Sequence, residues 1–293
     1  MTTLRAATRA SALARWQTDH VGQLLAGAHP GLTVEPVIVE TQGDVDRATP
    51  IHQLGGQGVF VKEVQAAVLD GRADIAVHSA KDLPSTAAQG LTIAAVPERA
   101  DVRDVLVGSA LDDLAQGASV ATGSVRRRAQ LAAHRPDLVF AELRGNIGTR
   151  LAKAVDFDAI VVAAAALDRL DEHPPVAERL PVETMLPQVA QGALAVECRA
   201  DDRVTAELLA VIEHRDSRRR VDAERAFLAE LGGGCDLPAA ALAEIAGDSI
   251  ALTALMASTD GSTVLRDQLV GQTAAVGAEL ARHLLGRGGR NLV

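Results

Sequence analysis

The sequence has no tyrosine, one tryptophan and four phenylalanines, so aromatic residues fill only 2% of its 293 positions. Its cores must be built from Ala, Val, Leu and Ile, and stacked aromatic platforms for single-stranded nucleic acid are not expected. Cysteine is scarce too. Cys198 and Cys235 are too few for a disulfide framework, which fits a reducing compartment and gives the expectation of a cytoplasmic protein. The longest apolar run, Ala159 to Leu167, is too short to cross a bilayer. The opening stretch MTTLRAATRASALARWQ has arginines but no continuous apolar segment, so no secretory signal is expected. Positive charge is in deficit: 29 Lys and Arg against 38 Asp and Glu give a net charge of -9. That argues against a general polyanion binder and still permits a local basic pocket. No His/Cys/Asp/Glu cluster has metal-site spacing, so no metal is expected. GGQG, Gly55 to Gly58, lacks the Lys-Ser/Thr ending of a P-loop and the spacing of a dinucleotide fingerprint.

What is present is an ordinary globular composition, 48% hydrophobic and 23% charged, over a length that suggests two or three domains. Leu4 to Thr8 reads as a strand. Ser11 is placed to cap a helix carrying Leu13, Trp16, Val21, Leu24 and Leu25. Pro30-Gly31 ends it, and Thr33 to Val39 reads as a second strand. A helix over Val59 to Leu69 and strands over Ile75 to His78 and Leu91 to Val96 follow. The charged stretch VPERADVRD lacks an apolar period and reads as a domain crossing. A second alternation comes next, with strands at Val105 to Val107, Val120 to Thr122, Leu138 to Leu143 and Ala159 to Val162. Helices near Ser124 to Ala133 and Asn146 to Val155 accompany them. DEHPPVAERLPVETMLP reads as a long connection, Leu194 to Cys198 as a strand and Asp202 to Ile212 as a helix. After His214 the pattern becomes a helix, three strands and a final helix. The expectation is an α/β protein with mainly parallel sheets and a smaller C-terminal α+β unit.

Several motifs carry chemistry. HSAKDLPS follows a strand end, where ligands of open α/β sheets bind, and offers Ser79, Lys81 and Asp82 together. On spacing alone a solvated turn with an incidental charge pair is the favoured reading, since loops rich in Lys, Asp and Ser are common. TGSVRRRAQL places a Gly/Ser turn at a helix N-terminus, a natural anion site, followed by Arg126, Arg127 and Arg128. LRGNIGTRL repeats the theme with Arg144 and Arg150, and ATRAS does so with Arg9. Three such junctions point to a ligand rich in carboxylates, for which arginine is the preferred partner. Cys198 sits in a strand pattern and reads as a buried, inert thiol. Cys235, in LGGGCDLP, follows three glycines, more than a helix C-cap requires.

In order along the chain, TRASALARWQ, GGQGVFVKE, RADIAVHSAKDLPS, the Arg126-Arg127 helix, LRGNIGTRL, QGALAVECR and LGGGCDLP resemble the porphobilinogen deaminase (hydroxymethylbilane synthase) family. The resemblance implies a transferase that condenses four porphobilinogen molecules head-to-tail, releases ammonia each time, and finally hydrolyses off hydroxymethylbilane. It implies a dipyrromethane cofactor, self-assembled from substrate and held by a thioether, here on Cys235. Asp82 is the implied catalytic residue. Ser79, Lys81, Thr122, Ser124, Arg126, Arg127 and Arg144 are implied to bind the cofactor, and Arg9, Ser11, Arg150, Arg169 and Gln191 the substrate. The implied fold has two periplasmic-binding-protein-like α/β domains, 1–98 with 193–213 and 99–192, and a smaller α+β domain, 214–293. A monomer is implied.

Two departures stand out. Gln42, Gln53 and Gln57 occupy positions where many relatives carry lysine or arginine, and Gly123 replaces a common serine in the anion turn. A different class of protein also fits the two α/β halves: a non-catalytic clamp for a small carboxylate ligand. The absence of a signal segment and the presence of a third domain weigh against it.

Overall fold

The computed structural model describes residues 2–41, 58, 61–233 and 237–292. Gln42, Gln53, Gln57 and Cys235 lie outside the described residues. Contacts divide the chain into two units, one formed by 1–100 and 193–218 and the other by 101–192 and 219–293.

The first unit is built on a five-stranded sheet of order β2-β1-β3-β10-β4. Its strands are β1 (Thr2–Thr8), β2 (Leu32–Ile38), β3 (Ile75–Ser79), β4 (Leu91–Ala95) and β10 (Leu194–Arg199). β1 runs parallel to β2 and β3, while β10 is antiparallel to β3 and β4. Helices α1 (Ala12–Ala28) and α2 (Lys62–Leu69) supply the covering layers. Val21 and Leu25 of α1 join Leu4, Ile75, Val196 and Cys198 in one apolar cluster. Val64, Ala67 and Val68 of α2 join Ala7 and Ala76 in another. With apolar layers on opposite faces, β3 and β10 are almost wholly buried, which is why both read as mainly apolar rather than alternating.

The second unit contains a sheet of the same size, of order β7-β6-β8-β5-β9. It comprises β5 (Asp104–Val107), β6 (Ser119–Ala121), β7 (Val139–Ala141), β8 (Ala159–Ala163) and β9 (Ala177–Arg179). Its helices are α3 (Val125–His134), α4 (Ile147–Ala152) and α5 (Ala164–Leu170). α5 begins inside the apolar run from Ala159, where periodicity cannot separate strand from helix. β9, only three residues on a sheet edge, lies within the stretch that reads as a connection. Helix α6 (Arg203–Ala210) belongs to the first unit; α7 (Arg215–Glu230) begins there and runs into the second.

The C-terminal segment forms an antiparallel sheet, β11 (Ala239–Ala246), β12 (Ser249–Ala257) and β13 (Val264–Gly271), with α8 (Ala275–Gly286) against it. Ala240, Leu242, Leu255 and Ala257 of this sheet pack with Ala129 of α3 and Leu186. Fold class agrees with expectation, two α/β sheets of matching size and a smaller three-stranded sheet. The expectation of mainly parallel sheets is corrected: β10 in the first and β5 in the second run antiparallel to both of their neighbours.

Candidate active site

In the first unit, β3 ends at Ser79 and turns at once into a 3₁₀ turn, Ala80–Asp82. The turn is held by its own backbone, Leu83 N–H to Ala80 C=O at 3.3 Å, and by Ala80 N–H donating to Ala193 C=O at 3.0 Å. Asp82 is thereby presented at the carboxyl end of a buried strand, the expected ligand position of an open sheet. Ser11 caps α1, its hydroxyl accepting from Ala14 N–H. Gln17, buried one turn further on, donates to the Ser79 hydroxyl at 2.8 Å. Arg9, Ser11, Gln17, His78, Ser79 and Asp82 line one open pocket of about 440 Å³, whose apolar wall includes Leu13, Val61, Val64 and Val77. The pocket thus unites Arg9, Ser11, Ser79 and Asp82; Lys81 lies on the same turn outside the lining.

In the second unit the positive charge is organised differently. Ser124 caps α3 by accepting from Arg127 N–H, and the Thr122 hydroxyl accepts from Ser124 N–H at 3.2 Å. The Arg126 and Arg127 side chains do not point to solvent. Asp104, at the start of β5 and 0% exposed, takes Nη2 of Arg126 at 2.8 Å on one oxygen and Nη2 of Arg127 at 2.7 Å on the other. Arg126 also donates to Leu186 C=O and Arg127 to Val161 C=O. Burial pushes the Asp104 carboxyl upward. The charges of the two arginines, with hydrogen bonds from Arg127 and Gln191, outweigh that and hold it below the usual carboxylate range. One buried carboxylate shared by two guanidinium groups leaves their cluster with positive charge in excess.

Gln191 is fully buried, and its amide donates to Asp104 at 2.9 Å and to Val102 C=O at 2.8 Å. Gln191 thereby braces Asp104, the carboxylate shared by the two arginines. Arg144 follows β7, and Arg150 stands in the last turn of α4, where its Nε donates to Gly145 C=O. Arg169 stands at the end of α5 and donates to Gly192 C=O at 2.7 Å. Burial pulls its guanidinium down to about 10, with Asp168 opposing. Arg128 is exposed and lies 5.8 Å from the Phe140 ring centroid.

A smaller pocket, about 290 Å³, is lined by Ser124, Arg126, Gln188, Val189, Leu228, Leu237 and Ala239. Leu237 is two residues from Cys235. Two of the preceding glycines have local reasons. Gly232, at φ +66°, ends α7 in the left-handed region, and a Cβ on Gly233 would collide with Leu237 Cδ1. Cys198 is buried in β10, and burial, reinforced by Asp202, raises its thiol. Among the described residues no His/Cys/Asp/Glu group has a metal-binding arrangement, and no helix is long and apolar enough to cross a membrane.

Comparison with known proteins gives the family. The porphobilinogen deaminase dipyrromethane cofactor-binding domain matches residues 4–207, and the porphobilinogen deaminase C-terminal domain matches 218–286. The chain belongs to the porphobilinogen deaminase family. Its activity is that of hydroxymethylbilane synthase, a transferase of porphyrin biosynthesis with porphobilinogen as substrate and dipyrromethane as cofactor. Solved structures to which the chain is similar include a probable amino-acid ABC transporter extracellular-binding protein from Bacillus subtilis, 10% identical, with 71% of this chain and 89% of that chain covered and a TM-score of 0.40. An arginine-specific periplasmic binding protein from Salmonella typhimurium is 12% identical, with 74% and 94% covered and a TM-score of 0.40.

The deaminase cofactor bears acetate and propionate arms, and the residues present suit it. Arg126 Nε and Arg144 Nη1 are buried donors without a hydrogen-bond partner. Unpaired buried donors are costly, and carboxylate arms would satisfy them. Two residues went unnoticed in sequence. Asp104 was hidden in the charged stretch read as a crossing, and Glu197 in the strand LAVECRA. The available signal was the same for each: an acidic residue at the edge of, or within, an otherwise apolar strand.

Proposed function

We propose that Cys235 carries the dipyrromethane through a thioether and that Asp82 is the catalytic carboxylate of the condensation. The single observation that carries the reading is the pocket uniting Asp82, Arg9, Ser11 and Ser79 at the carboxyl end of β3, in a chain matched along its length by deaminase domains. Cys198 is sealed in a strand, which supports Cys235 as the attachment point. So does Leu237, which lines the Arg126 pocket from the chain just beyond Cys235.

When bound, the dipyrromethane supplies the nucleophilic pyrrole carbon from which the product grows. Arg126, Arg127 and Arg144, with Ser79, Lys81, Thr122 and Ser124, hold its carboxylate arms. Arg9, Ser11, Arg150, Arg169 and Gln191 serve incoming porphobilinogen and its carboxylate arms, and Gln191 also braces Asp104. Porphobilinogen loses its aminomethyl nitrogen as ammonia and becomes an azafulvenium-like cation. The Asp82 carboxylate sets a fixed negative charge beside that cation, in a pocket whose apolar wall strengthens the attraction. The domain limits 1–98 with 193–213, 99–192 and 214–293, a monomeric state, a cytoplasmic location and the absence of nucleic-acid and membrane partners belong to the same reading. The test is incubation with porphobilinogen: four ammonia molecules should appear per tetrapyrrole released. Saturable binding without ammonia would instead support the carboxylate-clamp alternative.

A further inference from the structure

The Asp82 pocket has a wall that the reading above leaves idle. His78, the last buried residue of β3 before Ser79, lines it. Across the sheet, His78 is paired with Ala195 and Ala76 with Glu197, so the His78 and Glu197 side chains are diagonal neighbours on one face. His78 Nε2 lies 3.1 Å from Glu197 Oε2, and the two side chains are only 4% and 3% exposed. Gln65 of α2 donates to both Glu197 oxygens, at 3.1 and 2.9 Å. His78 Nε2 has the distance of a charge pair without the alignment of a hydrogen bond. A well-packed apolar pair here would usually be at least as stable, because burying two ionisable groups is expensive. A buried ionisable pair at the wall of a pocket therefore calls for a role other than stability.

Resting on the assignment of the Asp82 pocket as the condensation site, we propose that His78, backed by Glu197, is the base that removes the α-proton of the acceptor pyrrole after each carbon–carbon bond forms. In that step the C–H bond breaks, its electron pair returns to the ring, and the proton passes to the imidazole. Glu197 stabilises the imidazolium, as a carboxylate does behind other catalytic histidines. The proton then leaves to water, where the released ammonia takes one up. Each cycle ends with a neutral imidazole and ammonium in solution. Asp82 is left free to face the next cation. The other charged groups lining the pocket are Arg9 and Asp82, and Lys81 stands on the adjoining turn. Histidine is the side chain suited to exchanging a proton near neutral pH.

The test uses porphobilinogen deuterated at its free α-carbon and holoenzyme whose mass shows the primer in place. His78→Gln should lose about 10²-fold or more in turnover and show a primary deuterium isotope effect larger than that of the wild type. Glu197→Gln should lose less and show the same isotope effect; it carries the test alone if His78→Gln purifies without primer. In resting holoenzyme, nitrogen-15 histidine NMR should show the His78 imidazole resonances moved by Glu197→Gln. Wild-type isotope effects in these variants, or imidazole resonances that ignore Glu197→Gln, overturn the proposal. Asp82→Asn separates the two ideas. Normal ammonia release in Asp82→Asn would remove the underlying site assignment. A crippled Asp82→Asn beside variants with wild-type isotope effects would remove only the role of His78.

Discussion

The two α/β sheets are alike in size and mixed strand direction, yet they handle charge in opposite ways. In the first unit the carboxylate Asp82 stands on a three-residue turn at an open pocket, and the neighbouring buried acid, Glu197, is met by a histidine and a glutamine. In the second unit the carboxylate Asp104 is the sealed group, and it anchors two arginines that are themselves nearly buried. An acid on a turn is free to act on a ligand and contributes little to folding. An acid beneath two guanidinium groups does the reverse: it is sealed away and fixes their geometry.

The sharpest way to break this contrast is to exchange the fates of the two aspartates. Asp104→Ala leaves two buried arginines without their carboxylate and should cost about 3–5 kcal/mol of stability, the usual penalty for breaking a buried pair. Thermal or urea unfolding measures it; a loss below ~1 kcal/mol would mean that the cluster relaxes into water. Asp82→Asn should lower turnover by about 10²-fold or more while moving stability by less than ~0.5 kcal/mol. Ammonia release and a melting curve on one preparation read both numbers.

Acid should separate the units next. Burial raises the Asp101 carboxyl, but hydrogen bonds from Arg103 and Arg179 outweigh it and bring the group to about 2. Asp104 is lowered as well, and these two act in the second unit. In the first unit Arg5, chiefly through its hydrogen bond, lowers Asp74 from its usual 3.8 without so large a shift. A carboxyl depressed by folding stabilises above its unfolded value and loses that contribution as pH falls through its folded one. The second unit should therefore lose more of its stability between about pH 4 and pH 2. Hydrogen exchange in β5 and α3 should rise before that in β1 and β3; the opposite order would refute the assignment.

The smallest effect concerns the anion turn. A Cβ on Gly123 would stand 2.9 Å from Leu143 C=O, so the glycine lets the loop after β7 approach closely. Gly123→Ser should destabilise by about 1 kcal/mol through overcrowding, with a modest effect on affinity for porphobilinogen. Increased stability in Gly123→Ser would show that the loop moves freely.

Much of this was legible in sequence because it is local. A strand end followed by Ser79, Lys81 and Asp82, a Ser11 cap, and an arginine in the first turn of a helix are patterns within a few residues. The α/β alternation came from the same short-range signals. What stayed hidden depends on partners far apart in the chain: Asp104 with Arg126 and Gln191, or Gln65 and His78 with Glu197. No periodicity connects such residues, since sheet order and register bring them together. The unbroken apolar run from Ala159 hid the start of α5 for a different reason, having no polar face to mark a turn of helix.

The covalent link at Cys235 is the claim on which the rest depends, and the intact mass of the purified protein tests it most directly. The account predicts a wild-type mass above that of the polypeptide by two condensed pyrrole units, and a bare polypeptide mass for Cys235→Ser. A bare wild-type chain from a heme-making host, or an increment that survives in Cys235→Ser, would contradict it.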